Sequence, residues 1–211
     1  MKTEKLTYQN STILISVMEE DIEALTRQLD NFEEYREEFC QLKNEKRKRE
    51  FLSARILLNQ AAGCQVKVNY DANRKPYLED NSLHISITHS KNYAAVIIHP
   101  EFPVGIDLEI RTEKVKTVSK RFLNESEQIL FSKETNTAKV EIAWSAKETL
   151  YKIIGNEVRD FAATLEILPF ALNDSGTLHV LHKTGSRIYK LYYLQNEIFT
   201  LVFGVDKKIS L

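Results

Sequence analysis

One rhythm occurs twice along these 211 residues and narrows the folds open to the chain. A long helical stretch is followed by strands that end in a hairpin. The first helix runs from Asn44 to Ala62. There Phe51, Arg55 and Leu58, with Leu52 and Ile56, recur at three- and four-residue spacing, and Gly63 ends the run. The second helix spans Lys139–Ile154. After the first helix, Leu83, Ile85 and Ile87 alternate with His84, Ser86 and Thr88, Ser90–Asn92 turns, and Tyr93–Ile98 returns. After the second come strands at Ala163–Leu168, Thr177–Leu181, Ile188–Leu194 and Ile198–Val205. Tyr93-Ala-Ala-Val-Ile-Ile98 and Phe199-Thr-Leu-Val-Phe203 hold matching places. This predicts an α+β fold of two similar halves, 1–105 and 106–211, each a long helix on a small, mainly antiparallel sheet.

The remaining segments read as a strand at Ile13–Val17, helices at Glu19–Leu29, Phe32–Leu42 and Ser119–Leu130, a strand at Cys64–Asn69, a loop at Tyr70–Pro76, and a strand at Val104–Ile110. Six glycines and four prolines leave no linker that would separate two independent bodies.

Composition removes several classes. Twenty-nine Lys and Arg against 30 Asp and Glu leave no global basic field for nucleic acid. The run Lys46-Arg-Lys-Arg49 is flanked by Glu45 and Glu50 on a helix and reads as a solvated face. Two scattered cysteines, Cys40 and Cys64, exclude a disulfide scaffold or cysteine-rich zinc module and suit a reducing compartment. The longest stretch free of Asp, Glu, Lys and Arg, Leu6–Met18, falls short of the ~20 apolar residues a span needs. No small-residue cleavage site follows it before Glu19. The expectation is a cytoplasmic protein without membrane or nucleic-acid partners.

Val104-Gly-Ile-Asp-Leu-Glu-Ile110 carries the most chemistry. With period two, Val104, Ile106, Leu108 and Ile110 face one side, towards a core, while Gly105, Asp107 and Glu109 face the other. Two carboxylates on one strand face lie within reach of one cation, and Gly105 leaves room for a bulky ligand. The same alternation also fits a strand with an ordinary solvated acidic face.

Trp144, Glu148 and Lys152 recur every four residues, so they line one face of the second helix, beside Tyr151. Glu148 could add a third carboxylate and Lys152 a cation for phosphate; alternatively they form a surface ion pair with Trp144 as a core anchor. Thr88, His89 and Ser90 bring hydroxyls and an imidazole to one turn, and Pro76 fixes the loop that carries Lys75. Arg111, Lys114, Lys116, Lys120 and Arg121 against Glu113 make a basic segment suited to an acidic protein surface or to solvent.

In combination these segments resemble the 4′-phosphopantetheinyl transferase superfamily, the long, pseudo-dimeric Sfp type more than the short trimeric synthases. The resemblance rests on Gly105-Ile-Asp-Leu-Glu109 followed by Trp144-Ser-Ala-Lys-Glu-Thr-Leu-Tyr-Lys152. Arg49-Glu-Phe-Leu-Ser-Ala-Arg55, Arg74-Lys-Pro-Tyr77 and Ile87-Thr-His-Ser90 stand upstream in the family's order.

The resemblance implies halves related by a pseudo-twofold, with an active site in the cleft between them. It implies Mg²⁺-dependent transfer of phosphopantetheine from coenzyme A to a serine of an apo acyl or peptidyl carrier protein, releasing adenosine 3′,5′-bisphosphate; Mn²⁺ would also serve. Asp107, Glu109 and Glu148 would hold the metal, with Glu148 also the candidate base. Lys152 would stabilise charge on the phosphate under attack. Lys75, Pro76, Thr88, His89 and Arg49, with Asp107 and Lys152, would contact coenzyme A. Arg111, Lys114, Lys116, Lys120 and Arg121 lie where long relatives meet the acidic carrier helix. Thr88 stands where the family commonly has serine, which keeps the hydroxyl. A fused pair of halves suggests a monomer. A non-catalytic homologue that binds coenzyme A or a carrier remains the alternative.

Overall fold

The chain begins with a hairpin that periodicity does not reveal. Strands β1 (Thr3–Tyr8) and β2 (Ser11–Val17) pair antiparallel around Gln9 and Asn10, both at positive φ (44° and 65°). Such a two-residue turn matches the twist of the strands it joins. No residue of β1 is buried and it bears Glu4 and Lys5, so it lacks the apolar alternation that marks a strand in sequence. The computed structural model describes residues 1–112, 114–132, 137–158 and 160–207. It divides into two units, Met1–Pro103 and Val104–Leu211.

In the first unit, Asp21 caps α1 (Ile22–Gln28), accepting from the Ala24 amide at 2.7 Å. The stretch expected as one helix from Phe32 to Leu42 is a 3₁₀ turn, Phe32–Tyr35, running into α2 (Arg36–Gln41). Helix α3 (Glu45–Ala62) is capped by Asn44 and stopped by Gly63 at φ 73°. Short strands β3 (Val68–Tyr70) and β4 (Pro76–Leu78) pair with each other, and β5 (His84–Ser90) and β6 (Tyr93–His99) form the expected hairpin. The main sheet has the order β1-β2-β6-β5, antiparallel throughout.

Helix α3 is not merely amphipathic: every residue from Glu50 to Leu58 is buried. Leu57 and Leu58 meet Leu14, Ile85, Val96 and Ile98 of the sheet. Phe51, Leu52 and Ile56 meet Leu25, Leu29 and Tyr35 on the other side.

The second unit begins with β7 (Val104–Ile110). The helix expected over Ser119–Leu130 is broken into α4 (Lys114–Val118), a 3₁₀ turn at Ser119–Arg121 and α5 (Glu125–Ser132). The break is a capping box: Asn124 Oδ1 accepts from the Glu127 amide at 2.9 Å, and Glu127 Oε2 accepts from the Asn124 amide at 2.8 Å. Helix α6 (Ala138–Ile154) ends at Gly155, φ 71°. Asp160 then caps one helical turn, α7 (Phe161–Thr164), where strand was expected, before β8 (Leu165–Ile167). Strands β9 (Ser175–His182), β10 (Arg187–Gln195) and β11 (Phe199–Val205) complete a sheet of order β7-β11-β10-β9-β8, again antiparallel.

Helix α6 lies on β7 and β11. Ala143, Ala146, Leu150 and Ile153 join Val180, Leu191 and Val202 in the core of this unit. The architecture is the expected α+β arrangement, one long helix on one antiparallel sheet in each unit. No helix among the described residues is long and apolar enough to cross a membrane.

Candidate active site

Strand β7 does not present an acidic face to water. Asp107 is only 5% exposed, and Ile106 and Leu108 on the opposite face are fully buried. The reason lies in Gly105. A Cβ there would strike the Thr149 carbonyl oxygen and come within 2.8 Å of the Ile153 side chain. Gly105 therefore makes room for α6 rather than for a ligand, which corrects the sequence expectation. Its register partner on β11, Gly204, is equally crowded, and the Thr149 hydroxyl donates to the Val202 carbonyl at 3.0 Å. Helix α6 thus packs on the same strand face that bears Asp107 and Glu109.

The spacing along α6 then sets the chemistry. Its flanks are buried at Ser145, Ala146, Lys147, Thr149 and Leu150, while Trp144, Glu148, Tyr151 and Lys152 are partly open. Lys152 Nζ donates to Asp107 Oδ1 at 2.8 Å and to the Ile106 carbonyl at 2.8 Å. Trp144 Nε1 donates to Glu109 Oε1 at 3.3 Å, with its ring against Phe122 and Phe161. Each end of the Trp144–Lys152 line is thereby pinned to one of the strand carboxylates.

Glu148 stands between those ends. Burial, followed by the Asp107 charge, pushes its carboxyl up to about 7; Lys152 pulls the other way and Glu109 adds to the rise. A carboxyl with that affinity for protons exchanges them near neutral pH, as a general base needs to.

Three carboxylates that repel one another are a donor set suited to a hard divalent cation, which prefers oxygen ligands. Among the described residues, however, no group of three or more His, Cys, Asp or Glu is drawn together as a ready metal site. In the arrangement shown, Lys152 gives Asp107 its counter-charge. Charge and donor type fit Mg²⁺.

Lys147, inside the Trp144–Lys152 segment, has a role that the spacing of Trp144, Glu148 and Lys152 does not disclose. It is fully buried, its Nζ 2.7 Å from Glu127 Oε2 and bonded to the carbonyls of Phe122 (2.7 Å) and Leu165 (3.0 Å). Burial lowers its pKa against the pull of Glu127. The other oxygen of Glu127 accepts from the Ile167 amide at 2.7 Å. One buried pair thus ties α5, α6 and β8 together beside Glu148. The signal was present in sequence: Lys147 falls at helical spacing among Ala143, Ala146 and Leu150, on the apolar side.

In the first unit, Lys75 sits in a turn shaped by Asp71, whose Oδ1 accepts from the Asn73 and Lys75 amides at 2.8 Å each. Lys75 and Pro76 are half-buried, Thr88 is buried, and His89 is exposed at the end of β5. Arg49 has one distant ion pair, 3.9 Å to Glu45.

Of the basic segment, Arg111 is held by Glu141 at 3.3 Å and by the Asn196 carbonyl at 3.0 Å. Lys120 and Arg121 are exposed. Glu113 and the side chains of Lys114 and Lys116 lie outside the described residues.

A buried strand aspartate is clasped by a helix lysine, beside a glutamate whose carboxyl is pushed up to about 7. Family models match both units of the chain. That of the 4′-phosphopantetheinyl transferase superfamily matches residues 103–202, which include Asp107, Glu109, Glu148 and Lys152. That of the 4′-phosphopantetheinyl transferase N-terminal domain matches residues 36–99, which include Arg49, Lys75, Pro76, Thr88 and His89. The chain belongs to the 4′-phosphopantetheinyl transferase superfamily, whose members transfer phosphopantetheine. Among curated proteins no match is found.

Proposed function

We propose that this chain is a long, Sfp-type member that takes 4′-phosphopantetheine from coenzyme A and places it on a serine of an apo carrier protein, of the holo-acyl-carrier-protein synthase class. The observation that carries the reading is the cluster of Asp107, Glu148 and Lys152, in which a carboxyl held near neutrality adjoins a cation paired with a second carboxylate.

Asp107, Glu109 and Glu148 would hold Mg²⁺ or Mn²⁺, which when bound supplies charge neutralisation at the pyrophosphate. The serine oxygen forms a bond to the phosphorus that bears pantetheine. The bond from that phosphorus to the bridging oxygen breaks, and adenosine 3′,5′-bisphosphate leaves with the electron pair. Glu148 receives the serine proton, directly or through a water. Lys152, its ammonium already directed at the carboxylate strand, stabilises charge on the phosphate under attack. Lys75, Pro76, Thr88, His89 and Arg49 of the first unit are assigned to coenzyme A. The exposed Lys120 and Arg121, with Arg111, Lys114 and Lys116, are assigned to the carrier surface. The protein acts in the cytoplasm as a monomer.

Intact mass of apo acyl and peptidyl carrier proteins after incubation with the protein, coenzyme A and Mg²⁺ tests this. The expected result is a gain of one phosphopantetheine that EDTA abolishes. Coenzyme A binding without any mass gain across those carriers would establish the non-catalytic alternative instead.

A further inference from the structure

Two threonines line the seam between α6 and its sheet, and the assignments above leave one of them without a role. Both are fully buried. Thr149, on α6, donates to the Val202 carbonyl. Thr200, on β11, carries a hydroxyl that has no hydrogen-bond partner among the described residues. A buried hydroxyl without a partner lowers stability, and a fold that keeps one needs a reason to do so.

The ladder supplies the reason. Thr200 is the register partner of Glu109, as Val202 is of Asp107 and Gly204 of Gly105. Residues directly opposite in an antiparallel pair point to the same face, their Cβ atoms about 5 Å apart. That face is the one α6 covers, since Val202 packs with Ala146 and Leu150. Thr200 therefore stands across one rung from Glu109, a separation that a hydroxyl and a glutamate side chain can close. From the helix, Trp144 Nε1 reaches Glu109 Oε1 at 3.3 Å, beyond the usual range, so that bond alone orients the carboxylate weakly. Packing would be served better by valine, which has the outline of threonine and no polar atom to bury.

We propose that Thr200 is a positioning residue for the metal site: its hydroxyl donates to the Glu109 carboxylate when Glu109 holds Mg²⁺. The carboxylate is then oriented by Trp144 from the helix and by Thr200 from the neighbouring strand. The proposal rests on the reading of Glu109 as a metal ligand. Ligating carboxylates are themselves hydrogen-bonded, and these outer partners set metal affinity. The hydroxyl left idle in the metal-free fold is a donor held in place beforehand.

Thr200→Val and Thr200→Ser in the whole chain test it, through two measurements that a packing role would move together. The first is thermal unfolding with EDTA. Thr200→Val is expected to raise Tm by about 2–4 °C, because it removes the unpartnered hydroxyl and keeps the shape. The second is Mn²⁺ binding in the presence of coenzyme A, read from the electron paramagnetic resonance of the free ion against a protein-free control. Thr200→Val is expected to weaken Mn²⁺ binding by about tenfold, the scale found when a partner of a ligating group is lost. Thr200→Ser keeps the donor and should stay within about twofold of wild type on the scale of that same loss. In the Glu109→Ala background Thr200→Val makes no further difference, because it acts through Glu109. Transfer by Thr200→Val follows the metal: it needs about ten times more Mg²⁺ and recovers when that is supplied.

Wild-type Mn²⁺ affinity in Thr200→Val overturns the proposal while the metal assignment stands. So does an equal loss in Thr200→Ser, which would make the methyl group the cause. A lowered Tm in Thr200→Val overturns it as well, since the hydroxyl would then have a partner in the metal-free fold. A wild-type protein that binds no Mn²⁺ overturns the metal assignment, and the proposal with it.

Discussion

Helix α3 of the first unit and helix α6 of the second end alike, at glycines of positive φ, and each buries a cation eight residues before that glycine, Arg55 and Lys147. The strands beneath match too. Leu14 of β2 faces Val96 of β6 as Asp107 of β7 faces Val202 of β11, and Ser16 faces Ala94 as Glu109 faces Thr200. At equivalent places, then, one unit has Leu14 and Ser16 where the other has Asp107 and Glu109. The helix line follows suit: counted back from the glycines, Leu52, Ile56 and Gln60 correspond to Trp144, Glu148 and Lys152. Leu52 and Ile56 fill a hydrophobic core in the first unit. Both units set a long helix on an antiparallel sheet, but the carboxylate–lysine cluster lies in the second alone, and the first fills the matching positions with packing residues.

The buried cations give the largest test of that comparison. Lys147 faces an acid, Glu127, that is itself 1% exposed, whereas Arg55 reaches Glu38 at 3.1 Å, which is 46% exposed, and lies over the Phe51 and Tyr35 rings. Lys147→Met strands a carboxylate in the interior and should cost about 3–5 kcal/mol in urea unfolding. Arg55→Met leaves Glu38 to water and loses mainly the ring contacts, about 1–2 kcal/mol. Equal losses would show that burial of the partner acid is not what separates the two.

Next in size is the exchange of roles at the strand position. Asp107→Ala should lower transfer by about 10²–10³ while the fold persists by circular dichroism. Leu14→Ala should do the reverse, costing about 2–4 kcal/mol of stability with little change in turnover per folded molecule. Near-normal turnover in Asp107→Ala would remove the strand from the chemistry.

Glu148 adds a pH signature that nothing at Ile56 can produce. Its folded pKa, about 7, lies above its ordinary 4.5. Between those values the folded state holds a proton that the unfolded state has released, so this group makes stability fall as pH rises from 4.5 to 7, with its contribution fully present below 4.5. Glu148→Gln should flatten that slope in denaturant titrations across the window. Transfer by the wild type should rise with pH towards a plateau above about 7, and a flat rate profile would rule out Glu148 as base.

The smallest effect concerns the caps. Asn124→Ala and Asp21→Ala each remove one N-cap and should each cost about 1 kcal/mol. A clearly larger loss at Asn124 would show that the capping box also holds Glu127 against Lys147.

What was legible in the sequence was what is local. Alternation placed Asp107 and Glu109 on one face, and four-residue spacing placed Trp144, Glu148 and Lys152 on another, because strand and helix geometry convert spacing directly into direction. Glu127 with Lys147 and Glu109 with Trp144 are joined across twenty and more residues, and no period encodes such pairs. Gly105 reads in sequence as room for a ligand, but a glycine does not say what approaches, and here it is helix α6. β1 escaped because an exposed edge strand carries charges rather than alternation. Asn124-Glu-Ser-Glu127 was readable as a helix start and would have split the helix drawn through it.

The glycine pair under α6 has one more consequence. Gly105 and Gly204 are register partners, and at Gly105 the helix carbonyl of Thr149 rests almost on bare backbone. That contact works as a mechanical stop: main chain meets main chain at Thr149, and the Ile153 side chain fills the space beside it, so the aspartate strand and the lysine helix are held at a fixed spacing.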